Sequence, residues 1–189
     1  MSDTSSSNVT VNYATAAGTA TQGTDYVSAS GKLTIAAGKT SGHVFVRVLG
    51  DRFLERDETV FVNLSRPSGA YLAGSGKQGR GLIRNDDTRV RASGHFRAGT
   101  VHAGGRFSPS GAASHLTVSL FRKKNGRFVR IGRRSVTLTA AGDVDGDGIP
   151  DSRYSTAWSH MPHGTYRVIA KFPGNTSFRS CSAAYVFKG

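Results

Sequence analysis

The chain has 189 residues, with 37% hydrophobic and 20% charged side chains, 24 Gly, 5 Pro and a formal net charge of +13. This length suffices for one large domain or two small ones, and the low apolar share with Gly, Ser and Thr throughout points to short strands and frequent turns rather than a helical bundle. No run of ~18 apolar residues is present to span a membrane, the start Met1-Ser2-Asp3-Thr4 lacks a basic-then-apolar leader pattern, and the lone cysteine, Cys181, excludes an internal disulfide framework and a cysteine-based zinc site.

In the first half the hydrophobic period is 2. Val9, Val11 and Tyr13 alternate with Thr10, Asn12 and Ala14, as in a half-buried strand. Leu33 and Ile35 predict a shorter strand that ends at Ala37-Gly38. Residues 43–49 alternate Val44, Val46 and Val48 against His43, Phe45 and Arg47. Residues 59–64 put Val60, Val62 and Leu64 on one face, and a last strand, 81–84, runs into Asn85-Asp86-Asp87. Strands about ten residues apart, punctuated by Gly, read as an antiparallel sandwich.

The second half repeats the style with other residues. Leu116, Val118 and Leu120 alternate in 115–121, and a strand over 127–131 follows the Asn125-Gly126 hairpin signal. Further strands are predicted over 135–139, 154–158, 165–172 and 183–187, about seven in all. Charge separates the halves. Residues 1–87 carry nine Lys and Arg against eight Asp and Glu, whereas 88–189 carry sixteen against four, all four acids falling within 143–151. The expected fold is therefore all-β, two tandem antiparallel Ig-like sandwiches over 1–87 and 88–189.

Acidic residues of the first half gather where strands end: Asp25 after a Gly-Thr pair, Asp51, Glu55, Asp57 and Glu58 in one loop, and Asp86 and Asp87 after the last strand. Loops at one pole of a sandwich can converge. Carboxylates so gathered repel one another, and a hard divalent cation relieves the repulsion. The alternative is that Asp51 and Asp87 pair with Arg52, Arg56 or Arg84, and that the turn aspartates cap backbone amides.

Taken in order, Val11-Asn12-Tyr13-Ala14-Thr15, Gly18-Thr19-Ala20, Gly23-Thr24-Asp25-Tyr26, Gly31-Lys32-Leu33-Thr34-Ile35, Asp51-Arg52-Phe53-Leu54-Glu55-Arg56-Asp57-Glu58-Thr59 and Ile83-Arg84-Asn85-Asp86-Asp87 resemble the Calx-beta domain over about residues 8–87. The resemblance implies a calcium module of the kind that forms the cytosolic sensor pair of sodium–calcium exchangers and is repeated in bacterial surface proteins. It implies Asp25, Asp51, Glu55, Glu58, Asp86 and Asp87 as calcium ligands. The chain departs from the exchanger sensors at Gly50, Arg52 and Asn85, where they carry aspartates. The family's first strand, with a Glu-Gly motif, would precede Met1. Its absence is expected to weaken calcium binding toward ~10⁻⁴–10⁻³ M and to leave an uncovered sheet edge and an apolar groove.

The sharpest local motif is Asp143-Val144-Asp145-Gly146-Asp147-Gly148-Ile149-Pro150-Asp151. Carboxylates at positions 1, 3, 5 and 9 with Gly at 6 allow a tight loop to wrap one calcium ion, so Asp143, Asp145, Asp147 and Asp151 are a second set of candidate ligands. Position 12 is Tyr154, not the bidentate Glu of an EF-hand. Either an ion or surrounding arginines such as Arg133, Arg134 or Arg153 supply the counter-charge. The segments around this loop look like bacterial Ig-like surface modules, a more diffuse resemblance.

Arg122, Lys123, Lys124, Arg127, Arg130, Arg133 and Arg134 fall on one predicted hairpin, interleaved with Phe121 and Phe128. Such a patch attracts polyanions in a salt-dependent way, for example cell-wall polymers or acidic glycans. No helix-turn-helix, zinc-finger or RNP-type motif accompanies it. Enzyme chemistry has no support: Pro162 separates His160 from His163, no Gly-x-Ser-x-Gly elbow is present, and Cys181 has no evident His partner. The expectation is a non-enzymatic calcium-binding adhesion or cell-communication module of a secreted or surface bacterial protein, located outside the cell and touching glycans or another surface protein. The alternatives are a structural stalk spacer without calcium and a polyanion binder acting through residues 121–134.

Overall fold

A computed structural model describes residues 1 and 3–189. It is all-β: twelve strands in three antiparallel four-stranded sheets, with one 3-10 turn and no α-helix among the described residues. No helix there is long and apolar enough to cross a membrane. The chain divides into two compact units, one formed by residues 1–51 and 57–84 and the other by 52–56 and 85–189.

The first unit holds β1 (Val9–Ala17), β2 (Ser30–Ile35), β3 (Glu58–Ser68) and β4 (Gln78–Ile83), ordered β2-β1-β3-β4. Register sets Val9 opposite Ile35, Val11 opposite Leu33 and Tyr13 opposite Leu64, so one face of the sheet is apolar. Tyr13 also faces Gly31, where an added Cβ would lie 3.1 Å from the tyrosine oxygen. The small buried cluster is Ala20, Tyr26 and Val60, with Val46 and Ile83 against it. A groove of about 860 Å³ opens on this unit, lined by Val9, Val11, Leu33, Ile35 and Leu64 among others.

One predicted strand is corrected. Residues 43–47 alternate in burial, with Val44 and Val46 half-buried and Phe45 85% exposed, but Val48 is 53% exposed, and among the described residues 43–49 form no ladder. Among the described residues their backbone hydrogen bonds go to the short 25–27 stretch, where the Val27 N–H donates to Arg47 O and the Leu49 N–H to Asp25 O, both at 2.9 Å. That closes the single bridge Tyr26–Val48. Among the described residues, the first unit thus has one regular four-stranded sheet.

The second unit is a two-sheet sandwich. It contains β5 (Arg89–Arg97), β6 (Thr100–Ser108), β7 (His115–Lys124), β8 (Arg127–Thr137), β9 (Thr139–Gly142), β10 (Asp151–Trp158), β11 (Thr165–Phe172) and β12 (Cys181–Lys188), ordered β5-β6-β10-β9 and β12-β11-β7-β8. Alternating residues of both sheets meet in the core: Val101, Ala103 and Phe107 from one, Leu116, Val118, Leu120, Tyr166, Val168 and Ala170 from the other. Phe107 and Phe172 meet edge to face at 5.2 Å. The expected hairpin turn is present, with Asn125 and Gly126 at φ 47° and 80°. Strands β5 and β6 were not expected. Their inward positions fall on Ala92, Gly94, Ala103 and Gly105 as well as on Val90 and Val101, so small residues mute the hydrophobic period. Gly94 is small for a reason: a Cβ there would lie 2.5 Å from the Phe187 ring.

Candidate functional site

In the first unit Asp25 is 7% exposed and ends a tight turn. Its carboxylate accepts the Thr21 N–H at 2.6 Å, and its own N–H donates to Thr21 O at 3.0 Å. Glu58 begins β3, and a carboxylate oxygen of Glu58 lies within 4.8 Å of one of Asp25. Two acids from segments 33 residues apart are thereby gathered, one of them buried, an arrangement suited to an oxygen-seeking cation. Asp51 is half-buried at the end of a first-unit segment.

The other acids implied by the resemblance stand in the second unit. Glu55 lies on the 52–56 strip, where its N–H donates to Asn85 Oδ1 at 3.4 Å. Asp86 and Asp87 are clasped to the 174–180 loop. The Arg179 Nε lies 3.0 Å from Asp86 and 3.9 Å from Asp87, the Arg179 N–H donates to Asp86 O, and the Thr88 hydroxyl donates to Arg179 O. Asn85 closes this turn by donating from its side chain to Asp87 O and accepting the Asp87 N–H. Sequence distance hid the arginine partner, which lies 93 residues downstream of Asp86.

The 143–151 loop is built by its own aspartates. Gly146 and Gly148 adopt φ of 75° and 79°, where L side chains are strained. They aim their N–H groups at the two oxygens of Asp143, at 2.8 and 2.7 Å, while the Ile149 N–H donates to Asp147 at 2.9 Å. Ile149 then buries its side chain and anchors the loop. Asp143, Asp145 and Asp147 each bring a carboxylate oxygen within 4.8 Å of the others.

Counter-charge at these oxygens comes from arginines, and not from those the sequence suggested. Arg89 bridges Asp147 at 2.5 Å and Asp145 at 3.3 Å, with Arg106 at 3.5 Å and Arg91 at 3.7 Å from Asp145. The Ile149 N–H and then the Arg89 guanidinium hold the Asp147 carboxyl below its ordinary pKa. Both Asp143 oxygens accept backbone amides. A calcium ion in this loop would compete with three guanidinium groups and three N–H donors, so the donor set as folded fits it poorly. Arg89, Arg91 and Arg106 were missed because they belong to the two strands that the sequence did not reveal. Asp151 stands apart from the three gathered acids. It is 1% exposed, accepts the Ser108 hydroxyl and the Val144 N–H, and lies 3.5 Å from Arg106.

The seven hairpin cations do not share one face, because a strand turns alternate residues to opposite sides and a bulge interrupts β7 and β8 between Leu120 and Phe121. Lys123, Arg130 and Arg133 fall on the face opposite the core, in the rows of Phe128, Phe121 and Ser119. Arg122 and Arg134 turn the other way: Arg122 donates to His163 O at 2.9 Å, and the Arg134 guanidinium lies 5.4 Å from the Trp158 ring centre. Lys124 and Arg127 pair across the strand next to the turn.

Residues 1–87 match the family model of the Calx-beta domain. Two of the solved structures that are similar to this chain are of CBD12. The crystal structure of CBD12 from CALX1.2 matches at 20% identity and a TM-score of 0.46, over 87% of this chain and 68% of that one. Calcium binding domain CBD12 of CALX1.1 matches at 19% identity and 0.45, over 90% and 71%. No curated protein sequence matches.

Proposed function

We propose, from the Calx-beta match of residues 1–87, that this chain is a non-enzymatic calcium-binding module of a secreted or cell-surface protein, serving adhesion or cell-to-cell contact. The family match carries the reading. The pairing of buried Asp25 with Glu58 in that region supports it. Calcium takes six to eight oxygens at about 2.3–2.6 Å, and these two carboxylates would be its charged ligands, with carbonyls and water completing the shell. The 143–147 cluster is not the site in this reading, since its oxygens already hold amides and arginines. A site with so few acids should bind weakly, at about 10⁻⁴–10⁻³ M. The second domain, from about residue 88, would present the module and carry its contact surface.

The test is calorimetric titration with calcium, alongside thermal melts in calcium and in chelator. Wild type is compared with an Asp25→Asn, Glu58→Gln variant and an Asp145→Asn, Asp147→Asn variant. Asn at 25 keeps an acceptor for the Thr21 amide, so the turn survives. Saturable binding lost in the first variant and kept in the second is expected. Binding that disappears with the loop variant instead, or no binding at millimolar calcium, would overturn the assignment.

A further inference from the structure

The sheet β12-β11-β7-β8 carries three Lys and Arg on β7, four on β8, two on β11 and one on β12, and no Asp or Glu on any of the four strands. None of these ten cations is within ion-pair distance of a carboxylate among the described residues. The four acids of this half of the sequence lie in 143–151, where Arg89, Arg91 and Arg106 engage Asp145, Asp147 and Asp151 while Asp143 accepts backbone amides. The charge on the sheet is therefore unbalanced by these acids, and Asp86 and Asp87 are held by Arg179.

Period 2 sorts the ten. With Tyr166, Val168 and Ala170 buried inward, Arg167 and Lys171 of β11 face outward. Arg167 shares a row with Val186, Phe121 and Arg130; Lys188 pairs with Thr165, Lys123 with Phe128, and Arg133 with Ser119. Six cations thus stand on one outer face, three from the hairpin and three from strands that are far from it in sequence. At the centre the Arg167 guanidinium lies 4.9 Å from the Phe121 ring centre and 4.5 Å from that of Phe128. Its Nε is buried and has no hydrogen-bond partner. A guanidinium held between two rings has few rotamers left to lose when an anion arrives.

We propose that this outer face binds a linear acidic polysaccharide, with Arg167 as its fixed centre and Lys123, Arg130, Arg133, Lys171 and Lys188 around it. The occupant is chosen by charge complementarity. Rows about 4.8 Å apart across strands, and positions about 6.7 Å apart along them, suit a polymer with repeating carboxylate or sulfate groups. Single-stranded nucleic acid is disfavoured because base stacking needs open aromatic platforms, and Phe121 and Phe128 each already have Arg167 over the ring. This inference is independent of calcium at Asp25 and Glu58.

The experiment measures binding of the whole chain to heparin, polygalacturonate, a mixed-sequence single-stranded DNA and anionic phospholipid vesicles, in chelator. One variant is Lys123→Glu, Arg130→Glu, Arg133→Glu. Its control, Lys32→Glu, Lys39→Glu, Arg97→Glu, removes the same net charge from exposed positions elsewhere. Melts followed by Trp158 fluorescence and by far-UV circular dichroism verify that both fold. Expected is polysaccharide binding that weakens at least about tenfold between 50 and 200 mM salt, falls by a similar factor or more in the face variant, and persists in the control. Equal loss in both variants would reduce the effect to net charge and overturn the proposal. So would binding of DNA or vesicles tighter than of either polysaccharide, or no polysaccharide binding at 50 mM salt.

Discussion

Replacing Asp151 by Ala separates a structural acid from a metal ligand. Its carboxylate is 1% exposed and serves three groups: the Ser108 hydroxyl, 3% exposed, the Val144 N–H at 3.2 Å, and Arg106 at 3.5 Å. Without the carboxylate, the buried hydroxyl is left unmet, at about 1–3 kcal/mol. Arg106, whose side chain is 24% exposed, recovers only part of its hydration. Removing one partner of such a buried charged network costs roughly 3–5 kcal/mol. At about 4–8 °C per kcal/mol for a small domain, the second unit should melt at least about 12 °C lower. Trp158 is the sole tryptophan and lies in that unit, so its fluorescence reports this transition. The drop should be the same in calcium and in chelator. A loss seen in calcium alone, or a change below about 1 kcal/mol, would refute the view of Asp151 as a buried structural acceptor.

Other outcomes follow from the same packing. Leu120 is fully buried in the sandwich core, so Leu120→Ala should cost about 2–5 kcal/mol in chemical denaturation; an unchanged midpoint would place the side chain outside the core. The Asp147 carboxyl should titrate below 3.8 by NMR, and Arg89→Gln should move it only part of the way back, because the Ile149 amide is the larger cause. With the folded value the lower one, the stabilisation is complete above pH 3.8 and is lost as the pH falls through the folded value. Burial raises the Cys181 thiol above its ordinary 9.0, with Thr88 opposing, so labelling near pH 8 should be slow in the folded chain and fast in denaturant; equal rates would contradict the burial. Tyr154 donates to Arg91 O at 2.8 Å and burial raises its pKa, so its phenol should stay protonated in alkaline titration, and Tyr154→Phe should cost about 1–3 kcal/mol.

Read alone, the sequence determined the all-β class, the Asn125-Gly126 hairpin and most strands whose inward positions are Val, Leu, Ile or aromatic. Apolar alternation is a local signal, and burial of one face of a sheet follows from it. The motifs of residues 11–87 likewise carried, in their order, the resemblance to the Calx-beta domain, whose family model matches residues 1–87. Strands β5 and β6 escaped because Ala and Gly occupy inward positions and make room for Phe187 and for the Tyr154 hydroxyl. The reverse failure is 43–49, whose alternation in sequence is strand-like but whose backbone partners among the described residues span 25–27.

Tertiary structure decided which charges meet. The sequence placed four aspartates in one loop and proposed Arg133, Arg134 or Arg153 as their counter-charge. Pairing of β5 with β6 instead brought in Arg89, Arg91 and Arg106, as many as 58 residues from their partners. The sequence also grouped seven hairpin cations by proximity. Pleating and a one-residue bulge sent Arg122 and Arg134 to the other side, and sheet order set Arg167, Lys171 and Lys188 on the face with Lys123, Arg130 and Arg133. Side-chain period is written in the chain, whereas Coulomb interactions depend on distance in space, and only strand pairing sets that distance.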